Sequence, residues 1–240
     1  MYVLVLLCAL VGVFVGVYIE MVIVCVNCSV CRYIVEKYLH LLRSGFLVIM
    51  EVDQSAYPNL NNLKLNYGDS ESRVYWRSKQ VVDFAYMFYV GKELSSYYLQ
   101  LEDDVISSMN LFPKIAKGIK ASMDSNLQWT TLEFSKLGFI AKLYKTSDLE
   151  RLGKFLMMFY DEQPIDWLYV YFYKLLIQTK KILIKPALFQ HFGINSSLPL
   201  KSPSAAKEET FADPDPLDLA EVILPATKKP KIEKRQKVKG

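Results

Sequence analysis

Residues 97–105 read Tyr-Tyr-Leu-Gln-Leu-Glu-Asp-Asp-Val, an apolar and aromatic run that ends in three consecutive acids. Up to Leu101 the run has the character of a buried strand, and no buried strand tolerates the carboxylates that follow. Glu102, Asp103 and Asp104 are therefore expected at the exposed carboxyl end of a strand, where open α/β sheets place their ligands. Acids gathered there make a hard, oxygen-rich site suited to Mn²⁺ or Mg²⁺ holding a diphosphate. A solvated turn after a strand is the competing reading.

The elements that must position these acids are legible along the same chain. Residues 33–44 carry apolar positions at helical spacing and Gly45 ends that helix, with a short strand over 46–52 after it. A loop from Tyr57-Pro58-Asn59 runs to Gly68-Asp69, and a helix from Arg73 to Val90 is closed by Gly91. Beyond the acids, the pattern predicts a helix over 112–123, a strand over 129–134 and a turn at Gly138. Ser147 is expected to cap a helix reaching Tyr160, and Asp166 one starting at Trp167, with a further strand over 182–185. Strands alternating with helices predict an α/β sheet. Residues 199–240 turn polar and Pro-rich and read as a disordered tail, with a basic cluster from Lys228 to Lys239.

The chain has 240 residues, enough for one substantial domain with tails. Net charge is only +4, and the last fifteen residues hold much of the basic excess, so the remainder gives no reason to expect a nucleic-acid groove. Residues 2–19 carry no charge. They read either as a membrane signal anchor over 1–21 or as a pair of buried strands. Cys25, Cys28 and Cys31 form C-x-x-C-x-x-C, read as a metal site or as buried or membrane-proximal thiols.

Five blocks carry a family resemblance. They are Tyr67-Gly68-Asp69 with Arg73-Val74-Tyr75-Trp76-Arg77-Ser78-Lys79-Gln80; Tyr97 to Val105; Leu132 to Ile140; Met158-Phe159-Tyr160 with Pro164-Ile165-Asp166-Trp167-Leu168; and Leu188-Phe189-Gln190-His191 through Leu198. In order and spacing the chain resembles the N-acetylglucosaminyltransferase IV family, the α-1,3-mannosyl-glycoprotein 4-β-N-acetylglucosaminyltransferases. The resemblance implies a glycosyltransferase type A-like nucleotide-sugar domain over 22–198, in the Golgi membrane with its catalytic part lumenal. It implies transfer of N-acetylglucosamine from UDP-N-acetylglucosamine to the α-1,3-mannose arm of an N-glycan or glycoprotein, in β1,4 linkage, with inversion and with Mn²⁺ or Mg²⁺ as cofactor.

The resemblance also implies roles. Asp104 is expected to bind the metal, with Glu102 and Asp103 toward the nucleotide or orienting metal-bound water. His191 lies where similar folds return to the metal and diphosphate, and a neutral imidazole suits Mn²⁺. Inversion needs a general base near the acceptor hydroxyl. Asp166, after a Pro loop and before a helix, is the candidate, with a plain N-cap as its alternative. Glu133 is the second candidate, or a contact to the acceptor sugar, or a member of a buried hydrogen-bond network. Arg73, Arg77 and Lys79 are expected to pair with phosphates and Trp76 to stack on a sugar or base, unless this helix face is merely solvated.

Family members carry more chain upstream of these blocks, so the nucleotide pocket is expected to be incomplete on its N-terminal side. The resemblance also implies a lectin-like carboxyl-terminal β-sandwich, in whose place the basic tail is expected here. These departures support a second reading, a non-catalytic membrane-anchored relative that binds glycan or other glycosyltransferases.

Overall fold

The computed structural model describes residues 5–13, 16–25, 35–102, 104–191, 208, 210 and 211, with residues 5–25 described through their backbone. Asp103, Cys28, Cys31, Gly193 and the basic cluster lie outside the described residues. The apolar amino-terminal segment follows the paired-strand reading. Strand β1 (Val5–Val13) pairs antiparallel with β2 (Gly16–Cys25). Among the described residues no helix is long and apolar enough to cross a membrane.

Helix α1 (Leu39–Arg43) leads through Gly45, at φ +76°, into β3 (Leu47–Glu51), which runs parallel to β2. The long helix α2 (Glu71–Gly91) starts two residues before the sequence pattern predicts, because Ser70 caps it by accepting from Arg73 N. Then come β4 (Tyr97–Gln100), β5 (Val105–Ser107), α3 (Leu111–Asp124), β6 (Thr131–Glu133) and β7 (Lys142–Lys145). Helices α4 (Thr146–Phe159) and α5 (Ile165–Leu175) precede β8 (Ile182–Leu183) and β9 (Phe189–His191).

Seven strands form one mixed sheet in the order β3-β2-β1-β4-β7-β6-β8, and β5 and β9 form a separate antiparallel pair. Only β2–β3 and β6–β8 are parallel neighbours. The class is therefore α/β with a mixed sheet.

Period-two alternation divides the core. On β4 and β7, Tyr98 and Tyr144 face a layer built from α2, α4 and α5, where they meet Phe88, Phe139 and Leu149. Leu99 and Leu143 face the other way, into a second cluster with Ile115 of α3, Leu132, Phe134 and Phe189. The sheet is thus sandwiched between helices, as buried faces on both sides demand.

One boundary expectation holds and two are corrected. Gly91 is the last residue of α2, and a Cβ there would sit 2.5 Å from Tyr98 Cδ2. Ser147 lies inside the first turn of α4, whose start is set by Thr146 N donating to Ser96 O at 3.2 Å. Asp166 is not the cap of α5 either. Pro164 holds that position with extended backbone, and its carbonyl accepts from Trp167 N and Leu168 N.

Candidate functional site

Strand β4 is buried through Gln100, and Leu101 beyond it is still 5% exposed. The chain leaves the sheet at that point, so Glu102 and Asp104 come half out of the interior. Their surroundings are fixed by the small sheet. Val105 of β5 pairs with His191 of β9, which brings His191 Nε2 to 2.9 Å from Asp104 Oδ2. Strand β9 is delivered by the chain running on from β8 beside β6: Ile184 N donates to Glu133 O, Leu188 N to Phe134 O, and Ser108 N to Leu188 O. Residues 87 apart in sequence thus become neighbours through ordinary backbone pairing.

Glu102, Asp104 and His191 converge, one ligand atom from each lying within 4.8 Å of the others. Asp104 is 38% exposed and His191 27%. Two carboxylates and an imidazole match the oxygen and borderline-nitrogen preferences of Mn²⁺.

Glu133 occupies a different environment. It faces Lys142 directly across the β6–β7 ladder, with Oε2 2.8 Å from Nζ and the two side chains 1% and 0% exposed. Lys142 Nζ also donates to Ser135 O at 2.8 Å, and the Tyr169 hydroxyl donates to Glu133 Oε1 at 3.2 Å. Burial lowers the Lys142 ammonium from its ordinary range, against the pull of Glu133. The Tyr169 hydroxyl is pushed up by burial and then by the Glu133 charge. Of the three readings of Glu133, this is the buried network. The network adjoins the acid cluster: Glu102 contributes to the field at Lys142, and a Cβ on Gly138 would lie 3.7 Å from Glu102 Oε1.

Asp166 is exposed in the first turn of α5, three residues before Tyr169 on the same helix. The basic cluster of α2 divides. Arg73 lies over the Trp76 ring at 4.5 Å. Lys79 is bound internally, 2.7 Å from the buried Asp83, which also accepts from Tyr57 Oη at 2.5 Å. Arg77 is fully buried, 3.3 Å from Asp69 and beneath the Tyr67 ring, so a solvated basic face does not describe it. Burial lowers its guanidinium, and Asp69 opposes that shift.

Residues 15–211 match the family model described as the MGAT4 conserved region. The chain belongs to this family. It is 48% identical over 171 residues to an alpha-1,6-mannosyl-glycoprotein 4-beta-N-acetylglucosaminyltransferase of Gallus gallus, covering 71% of this chain and 36% of that protein. It is 48% identical over 164 residues to the alpha-1,3-mannosyl-glycoprotein 4-beta-N-acetylglucosaminyltransferase C of Sus scrofa, covering 68% and 34%. To the A form of Mus musculus it is 39% identical over 184 residues, covering 71% and 34%. The chain spans about a third of the length of these curated relatives. No solved structure matches it.

The MGAT4 region extends past the point where composition turns tail-like, and Glu208 shows a physical counterpart. It is 7% exposed, accepts from Ser135 Oγ at 2.6 Å and Lys136 N at 2.5 Å, and donates its own N–H to Gln190 Oε1 at 2.8 Å. Thr210 Oγ1 accepts from Ala187 N at 3.1 Å. The expectation of disorder from residue 199 therefore fails for these residues. Sequence reasoning missed Glu208 and Lys142. Neither had a local signal: the strand over 142–145 is too short to show an alternation, and the partners of Glu208 lie 72 and 73 residues away.

Proposed function

We propose that this chain carries the catalytic centre of an MGAT4-type transferase that moves N-acetylglucosamine from UDP-N-acetylglucosamine to a mannose of an N-glycan in β1,4 linkage, with inversion. The observation that carries this reading is the convergence of Glu102, Asp104 and His191 at the carboxyl end of β4. Asp104 and His191, with Glu102 beside them, would hold Mn²⁺ or Mg²⁺, whose charge would offset the negative charge gathering on the departing diphosphate. We place the nucleotide against this cluster, in a glycosyltransferase type A-like arrangement. Asp103 is kept on the nucleotide side. Arg73, which lies over the Trp76 ring at 4.5 Å, and Trp76 are kept toward phosphate and base.

Asp166 is the proposed general base. The acceptor's O4 attacks C1 of the N-acetylglucosamine from the face opposite the diphosphate, and its proton passes to the Asp166 carboxylate. The C1–O bond breaks with its electron pair leaving on UDP. Glu133 is the weaker candidate, since Lys142 and Tyr169 already engage both of its oxygens. We take the α-1,3-mannose arm as the acceptor, as in the names of the porcine and murine relatives. The α-1,6 arm is a second reading, favoured by the name of the chicken protein at the same 48% identity. The reaction is placed in the Golgi lumen, which glycosylation in cells at the sequons Asn27-Cys28-Ser29 or Asn195-Ser196-Ser197 would support.

The test is a transfer assay on the full chain with UDP-N-acetylglucosamine, Mn²⁺ and a biantennary N-glycan, beside Asp104→Asn and Asp166→Asn. Product from the native sequence alone, lost on chelation, supports the assignments. A folded chain that neither transfers nor binds UDP overturns them and favours the non-catalytic, glycan-binding relative.

A further inference from the structure

The reading above leaves the acceptor without a place to lie. One exposed surface beside Asp166 is built for a sugar. Tyr67 and Trp167 are 56% and 47% exposed, and their rings meet edge-to-face at 5.1 Å. Trp167 directly follows Asp166. Large aromatic rings left half in water carry an apolar face beside a polar rim. A pyranose ring has the complementary character, an apolar C–H face edged by hydroxyls.

The backbone holds this surface in place. Tyr67 and Gly68 stand at φ +61° and +71°, and Asp69 N donates to Asn66 O at 3.1 Å, closing a turn with two left-handed residues. Glycine accepts that conformation readily, but a bulky tyrosine does not, and such departures concentrate where side-chain placement matters. The turn is tied to the α4–α5 loop by Asn66 Nδ2, 3.4 Å from both the carbonyl and Oε2 of Glu162. Behind the ring lies Arg77, fully buried, its guanidinium 5.7 Å from the Tyr67 centroid and none of its nitrogens hydrogen-bonded among the described residues. Glu162, the residue that Asn66 contacts, also lines a groove of about 520 Å³ together with Phe159, Gln163, Tyr171 and Lys174. Gln163 Oε1 is buried there with no hydrogen-bond partner among the described residues. Tyr171 lies one turn after Trp167 on the same helix face and is 50% exposed, so the aromatic surface continues into the groove.

We propose that Tyr67 and Trp167, with the groove beyond them, form the acceptor platform: a sugar of the oligosaccharide lies with its C–H face on Trp167 and its hydroxyls toward Asp166. This deepens the transferase reading and rests on it. A glycan is the occupant the chemistry selects, because the surface joins aromatic faces to the Gln163 amide and the carboxylates of Glu162 and Asp166, and Lys174 is the single cation among the residues lining the groove, too few for a polyanion. The platform accounts for the position of an exposed tryptophan beside an exposed acid, and for a tyrosine held in a left-handed turn.

Trp167→Ala, Trp167→Phe and Tyr67→Asn test it, the last keeping a residue that tolerates the left-handed turn. In the full chain, Trp167→Ala and Tyr67→Asn should each raise the KM for a biantennary N-glycan by about tenfold, leaving the KM for UDP-N-acetylglucosamine unchanged. Trp167→Phe should recover most of the loss. An unchanged acceptor KM, or equal rises for donor and acceptor, overturns the platform. If the native chain transfers nothing, saturation-transfer NMR with the same glycan and no donor still decides. Saturation of mannose C–H protons that Trp167→Ala abolishes supports the platform. Saturation equal in both proteins, or absent from the native chain, overturns it.

Discussion

Two carboxylate sites lie at the ends of β4 and β6, the strands on either side of β7, and they differ in what balances their charge. At β6, Glu133 meets Lys142 in the interior, both at 1% exposure or less, and Tyr169 takes the remaining oxygen. Beyond β4, Glu102 and Asp104 lie beside the His191 imidazole and stand half in solvent. An unpaired buried charge costs several kcal/mol, so the first site must carry its counter-charge in its own sequence. The second borders water and can take its counter-charge from solution. One site therefore fixes the frame, and the other is able to gain and lose a ligand. The residue opposite makes the difference: the antiparallel insertion of β7 places Lys142 across from Glu133.

The largest test of this contrast is Lys142→Met. It strands Glu133 in the interior, and we expect a loss of about 3–5 kcal/mol in urea unfolding. The double variant Glu133→Leu/Lys142→Met removes both charges and should return to within about 1 kcal/mol of the native chain. A single variant costing under about 1 kcal/mol would mean that water reaches Glu133, and the contrast would collapse.

Asp104→Asn should behave in the opposite manner. Transfer should fall about 10²–10³-fold, the scale of losing one electrostatic contact to a developing charge. Unfolding free energy should stay within about 0.5 kcal/mol, as for other half-exposed positions. Mn²⁺ binding measured by calorimetry should weaken in parallel. A stability loss comparable to that of Lys142→Met would place Asp104 in the structural class instead.

How much of this was legible follows from the range of the interactions involved. The end of β4 was legible because burial and charge conflict within a few residues, and the long helices were legible from their periodicity. The β6–β7 pairing was not. Lys142 and Lys145 bracket a strand too short to show its pattern, and the lysine's burial depends on a carboxylate nine residues earlier. The β5–β9 pair joins residues 82 to 86 apart in sequence, so the approach of His191 to Asp104 was implied only by family resemblance. The division of the α2 cluster was also hidden. Arg73, Arg77 and Lys79 look equivalent in sequence, and only packing shows that Lys79 serves Asp83 while Arg77 is sealed beneath Tyr67.

A smaller effect probes the layer that carries both sites. Gly91→Ala drives a methyl to 2.5 Å from Tyr98 Cδ2 and 2.7 Å from Cε2. Tyr98 is fully buried between Phe88 and Tyr144 and cannot swing away. We expect a loss of about 1–3 kcal/mol in thermal or urea unfolding, the usual cost of overpacking. Because Tyr98 sits on β4, two residues before Gln100, the variant should also weaken Mn²⁺ binding at the strand's end. Unaltered metal affinity at reduced stability would show that the acid cluster is held by β5 and β9 rather than by β4.

The smallest effect is a slope. Burial lowers the Lys142 pKa in the folded chain below its ordinary value of 10.5. Between these two values the unfolded chain still binds the proton and the folded chain has released it. Stability from this group must therefore rise with pH in that window, by at most about 1.4 kcal/mol per pH unit. The buried tyrosines act in the opposite direction. Tyr98, Tyr144 and Tyr169 are raised above 10.0 by burial, so their contribution falls as pH climbs past 10 and the unfolded chain ionises. The lysine term is thus best read below pH 10, as the difference between the native chain and Glu133→Leu/Lys142→Met. That difference should tilt in favour of the native chain as pH approaches 10. A flat difference would show Lys142 holding its proton as firmly folded as unfolded. The Glu133 charge would then fully offset the desolvation, and the buried site would be a balanced ion pair.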